Sequence, residues 1–167
     1  AATATVVPLA GSDPGILSNF VSVISAPLID LTTLSGDDTF GKVERLCNKA
    51  LNPIDNEILY GLGLSSNEVK VGAVCVYHHL IKDCKALVHN QLPIAAVSTG
   101  FPAGLSSFAT RKKEISDSII DGADEIDIVI NRGFVLQNNW NKLYDNVKVQ
   151  IIKSTITSLL KKEEIKK

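Results

Sequence analysis

A carboxylate sits inside one of the most apolar stretches of the chain: Asp127, in Glu125–Ile126–Asp127–Ile128–Val129–Ile130. Alternation with period two puts Glu125, Asp127 and Val129 on one face of a strand and the three isoleucines on the other. With the isoleucines against helices, Asp127 points into the interior of the sheet. A buried carboxylate is costly unless paired or hydrogen-bonded, and burial raises its pKa towards the range useful for proton transfer. A structural Asp salt-bridged across the sheet is the competing reading. Asp30 and Thr32 alternate in the same way within Leu28–Thr33. They offer the same interior an acceptor and a hydroxyl, or else form a hydrogen-bond network at a strand end. Cys75 can line that interior too. No basic neighbour in the sequence lowers its pKa, which favours an inert core thiol.

Gly100–Phe101–Pro102–Ala103–Gly104 places two glycines around a proline. Such a loop can bring backbone N–H groups near a substrate, although ordinary turns use the same residues. His78 and His79 are adjacent, so in an extended segment they point to opposite faces, and His89 falls on a helix. No metal site is expected from them. Dinucleotide, P-loop and serine-hydrolase motifs are absent, and no cofactor is expected.

The elements that must position these groups follow from hydrophobic patterning. Ala26–Leu34, Val71–Tyr77, Pro93–Thr99 and Glu125–Asn131 are short, apolar and β-branched, as strands covered on both faces are. Helices separate them. The first carries Phe40, Val43, Cys47 and Ala50 on one stripe, with Asp37 and Asp38 as caps. Leu80–His89 and Ser106–Asp121 are the second and third, and Gly122 ends the latter. Trp140–Leu160 is the fourth, although Val149–Leu160 also reads as the start of a strand. Leu51–Lys70 is the longest connection. Strand and helix alternation predicts an α/β fold with a parallel sheet, whose chemistry gathers at the carboxyl ends of the strands.

The 167 residues carry 17 Lys and Arg against 18 Asp and Glu, a net charge of -1. That balance argues against a nucleic-acid partner, which needs excess positive charge. Apolar residues at 45% and charged residues at 21% are globular usage, and no apolar run is long enough to span a membrane. Three unrelated cysteines make no disulfide framework and predict reduced thiols and a cytoplasmic location. Ala1–Gly15 lacks the positive segment of a signal peptide, and no Met occurs anywhere, which predicts a processed, trimmed or partial chain. The charged stretch Lys161–Lys167 reads as a frayed helix end. The length suits one domain but not a complete eight-stranded α/β barrel, which needs roughly 200 to 250 residues.

Six runs then resemble a known family in order and spacing: IDLTTLSGDDT at Ile29–Thr39, RLCN at Arg45–Asn48, AVCVY at Ala73–Tyr77, GFPAG at Gly100–Gly104, GADEIDIVINR at Gly122–Arg132 and WNKLYD at Trp140–Asp145. The chain resembles the deoxyribose-phosphate aldolases, in their eukaryotic-type branch. The resemblance implies a TIM (β/α)8 barrel, of which about four βα units lie here. Residues 26–167 then form the N-terminal half of the barrel behind an extension at residues 1–25. It implies class I chemistry without a metal: reversible cleavage of 2-deoxy-D-ribose 5-phosphate to D-glyceraldehyde 3-phosphate and acetaldehyde through a lysine Schiff base. The family's proton-shuttling aspartate falls on Asp127, and its pocket residues on Asp30, Thr32 and Cys75. The implied partner is a small phosphosugar, with homo-oligomer formation open. The departures are His78, where the family usually has Pro, the unrelated stretch Ala1–Ser25, and the absence of a clear Schiff-base lysine run. Ile151–Thr155 resembles that run superficially, but it comes too soon after the fourth strand and lacks the Gly that should follow Lys153 and its neighbours. An inactive half-barrel with a structural or binding role is the alternative.

Overall fold

The apolar runs pair as four parallel strands in sequential order: β1 (Asp30–Thr32), β2 (Ala73–Tyr77), β3 (Ile94–Ser98) and β4 (Glu125–Ile128). A computed structural model describes residues 14–65 and 68–148. The register sets Leu31 beside Val74 and Val74 beside Ile94, then Val76 beside Ala96 and Ala96 beside Ile126. These residues form the outer face. β2 and β3 are buried almost throughout, while β1 and β4 alternate between exposed and half-buried positions.

Helices α2 (Phe40–Leu51) and α4 (Ile81–Val88) cover the outer face. Val43, Cys47 and Ala50 of α2 and Ile81, Cys84 and Val88 of α4 recur at helical spacing and join the strand residues in one core. α5 (Phe108–Asp121) packs against β3 and α4. Ser107 caps α5 by accepting from the Thr110 N–H at 3.2 Å, and Gly122 closes it with φ of 107°, a conformation that only glycine adopts readily. A smaller cluster joins Val23 of α1 (Pro14–Ser25) to Ala26, Leu59 and Val69.

Several expectations need correction. Ala26–Leu28 is a 3-10 turn, since Pro27 has no N–H to give a ladder, and β1 is confined to Asp30–Thr32. Thr39, not Asp37 or Asp38, occupies the N-cap of α2. Asp38 instead closes the loop before it, accepting from Thr33 Oγ1 at 2.9 Å and the Ser35 N–H at 3.0 Å, with Lys42 Nζ at 3.1 Å. The long connection contains α3 (Asn56–Gly61), nucleated by Asp55 accepting from the Glu57 N–H at 2.8 Å. β4 stops at Ile128, because Asn131 turns its carboxamide to the Gly133 N–H at 2.9 Å and starts α6 (Arg132–Leu136). A further helix, α7, spans residues 140–148, and the rest of the predicted fourth helix lies outside the described residues.

Candidate active site

Opposite the helices, the strands turn a second face. Thr32, Cys75, Ala95 and Glu125 form one row across all four strands, and Tyr77, Val97 and Asp127 form the next row towards the carboxyl ends. Asp30, Thr32, Cys75, Glu125 and Asp127 all line one depression of about 280 Å³ on this face. The sequence alternation therefore assigned the faces correctly: the four candidate residues come together, with Glu125 added.

The expectation of a buried carboxylate is not met. Asp127, Asp30 and Thr32 are exposed, whereas Cys75 is buried. Alternation tells which face a side chain takes, not whether anything lies over it: Ala73, Cys75, Ala95 and Val97 at the centre of this face are buried, while the inward side chains of β1 and β4 at its rims are exposed. The cross-sheet salt bridge is also not found: among the described residues, none of Asp30, Glu125 and Asp127 has a cation within ion-pair distance. The depression is thus acidic. Its effect is felt by Cys75, whose thiol is pushed up first by burial and then by the charge of Asp127, with Asp30 and Glu125 adding to it and the nearby Thr32 hydroxyl opposing it. A protonated thiol is a weak nucleophile, in keeping with its lack of a basic neighbour. Thr32 Oγ1 donates to the Asp30 carbonyl at 3.0 Å, which holds the hydroxyl along β1.

The Gly100–Gly104 loop differs from expectation. Its Gly100 N–H donates to Glu114 Oε2 at 2.9 Å, and its Gly104 N–H donates to the Gly100 carbonyl at 2.8 Å. Both amides are thus engaged within the protein. His78 and His79 lie on a 3-10 turn (His78–Leu80) rather than in an extended segment, and His89 ends α4 in left-handed backbone at φ of 48°. His78 Nδ1 lies 3.2 Å from Ser118 Oγ, and Nε2 lies 3.5 Å from Asp121, which also meets Lys82 at 2.9 Å. Ser118 is fully buried, so this Ser–His–Asp alignment ties α5 to the turn after β2 and offers no accessible nucleophile. Among the described residues no group of His, Cys, Asp and Glu is placed to hold a metal ion. No helix there is long and apolar enough to cross a membrane. Lys153 lies outside the described residues.

Four consecutive βα units, helices on one face and a polar depression on the other, have the architecture of part of a TIM barrel. No family model matches the chain. Over 122 residues it is 50% identical to the deoxyribose-phosphate aldolase of Mus musculus, and over 123 residues 46% identical to that of Homo sapiens. Over that stretch the chain belongs to the deoxyribose-phosphate aldolase family. The two matches cover 71% and 72% of this chain but 38% and 39% of those proteins. A solved structure described as a tetrameric deoxyribose phosphate aldolase from Aeropyrum pernix shares the fold, with a TM-score of 0.59 at 18% identity over 87% of this chain and 56% of that one.

Proposed function

We propose that this chain supplies one half of a class I aldolase site acting on 2-deoxy-D-ribose 5-phosphate. In that reaction an amine adds to the substrate's carbonyl carbon and water leaves. The resulting protonated imine accepts the electron pair of the breaking carbon–carbon bond. Protons must move to and from the substrate hydroxyl and carbon, and Asp127 is the group assigned to move them. Asp30, Thr32 and Cys75 form the wall that receives the sugar. The lysine is assigned to the part of the barrel that the relatives carry beyond the matched segment. One observation supports this reading most: residues from all four strands, placed far apart in sequence, line a single acidic depression. Three buried free thiols fit a reducing compartment such as the cytoplasm.

Borohydride trapping with acetaldehyde, read by intact mass, tests the division of labour. The 167-residue chain is expected to gain no adduct. The same chain extended by the family's fifth to eighth strands should gain one, on a lysine of the added segment. In that extended protein Asp127→Asn should lower kcat by about 10²-fold or more. A stable adduct on the unextended chain would place the nucleophile in this half, and normal turnover of the Asp127→Asn protein would remove Asp127 from the reaction.

A second reading is favoured by two edges, β1 and β4, each paired on one side only among the described residues. Open edges invite pairing with another chain. An inactive half-barrel of this kind would associate through them, and light scattering that shows a strict monomer with a cooperative melt would exclude it.

A further inference from the structure

The segment that leaves β3 is fastened to the segment that leaves β4, immediately beyond Asp127. β3 ends at Ser98, and Thr99 turns into left-handed backbone at φ of 63°. A β-branched residue disfavours that conformation, and such outliers persist only where the surroundings hold them. The turn takes the backbone of Thr99 out of line with the sheet, so it cannot continue the ladder. The side chain does so instead. Thr99 Oγ1 donates to the Val129 carbonyl at 2.9 Å and accepts from the Val129 N–H at 2.7 Å. One fully buried hydroxyl thereby stands in for a whole rung of strand pairing. Two further contacts reinforce it. Gly104 lies so close to β4's exit that a Cβ there would sit 2.6 Å from the Ile130 carbonyl. Glu114 of α5 holds the Gly100 N–H and with it the loop.

We propose that Thr99 is a positioning residue for Asp127, acting through Val129, and that the Gly100–Gly104 loop is its brace. Asp127 stands two residues before Val129 on a strand that, among the described residues, pairs on one side only. Nothing on its free side among the described residues fixes its end, so the direction of its carboxylate depends on the β3 side. The proposal rests on the reading of Asp127 as the proton-transfer group, but its test needs no turnover, so the two can fail separately.

The test is NMR on the 167-residue chain. Thr99→Val keeps the shape and removes both hydrogen bonds, while Thr99→Ser keeps the hydroxyl. Thr99→Val should speed exchange of the Val129 amide by at least about tenfold. It should also shift the carboxyl and amide signals of Asp127 while leaving those of Asp30 in place, and Thr99→Ser should restore both. A folded Thr99→Val chain with Val129 protection and Asp127 signals unchanged would overturn the proposal, as would equal shifts at Asp30 and Asp127. If Thr99→Val does not fold, Glu114→Ala decides. It releases the brace from the surface, and should move the Asp127 signals in the same direction by less; no movement there overturns the proposal. Loss of activity in the Asp127→Asn extended protein reports on the aspartate's role alone.

Discussion

The two faces of the sheet are built from the same strands and obey different rules. The outer row of Val74, Val76, Ile94 and Ala96 is completely buried against α2 and α4. The inner face carries three carboxylates and a hydroxyl around one buried thiol; it is exposed along β1 and β4 and buried at Ala73, Ala95 and Val97 between them. The outer face follows the rule that apolar area is removed from water, at roughly 25 cal/mol per Å². The inner face gathers like charges without a countercharge among the described residues, which stabilises nothing in the fold. Stability and chemistry are thus separated by the two-residue period of the strand.

Truncation on each face should break or confirm this division. Ile94→Ala removes a fully buried side chain from the centre of the outer core and should cost about 2–5 kcal/mol of unfolding free energy, measured by urea denaturation. Thr32→Ala, on the exposed inner face, should change stability by no more than about 0.5 kcal/mol. A Thr32→Ala cost approaching that of Ile94→Ala would mean that the inner face is covered in solution.

The thiols sharpen the contrast at the next level of effect. Cys75 is held above the usual thiol range by burial and then by Asp127. It should react with iodoacetamide more slowly than a free cysteine at pH 8, and Asp127→Asn should raise that rate by removing the nearby negative charge. The sign for stability follows from the same shift. A thiol whose folded value is raised stays neutral where the unfolded chain ionises. Its contribution is therefore complete below about pH 8.5 and is lost as pH rises through the folded value. Urea midpoints measured from pH 7 to 10 should fall at the alkaline end, and the fall should be smaller in Cys75→Ala. An unchanged fall would assign it to other groups.

Faces were legible from sequence wherever alternation was strict, as at Glu125–Ile128, and so were the helical stripes of α2, α4 and α5. Element ends were less so. Thr39 takes the cap position of α2 because Asp38 is drawn back to Thr33 and Ser35, a competition between neighbours that spacing alone does not resolve. α3 and α6 each begin at a side chain, Asp55 or Asn131, that accepts a hydrogen bond from the backbone N–H two residues on. Both residue types favour caps and turns alike. The exposure of Asp127 could not be read at all, because cover is a property of whatever lies across the sheet. The pair of hydrogen bonds between Thr99 and Val129 was equally hidden, since it joins residues 30 apart through a backbone conformation that threonine rarely adopts.

The smallest expected effect concerns a polar exception among the described strand residues of the helix-covered face. Ser98 pairs with Ile128, is fully buried, and its Oγ has no hydrogen-bond partner among the described residues. A buried hydroxyl without a partner bears its desolvation cost uncompensated. Ser98→Ala should therefore leave stability unchanged or raise it by up to about 1 kcal/mol, a shift readable in Tm. Thr99, the next residue, has a hydroxyl just as buried but fully used, and Thr99→Val should destabilise. Adjacent hydroxyls, both sealed from water, are thus expected to give opposite signs, because the cost of a buried polar group depends on whether it finds a partner. A loss on Ser98→Ala comparable to that on Thr99→Val would show that Ser98 has a partner in solution, and that the outer face carries a polar contact of its own.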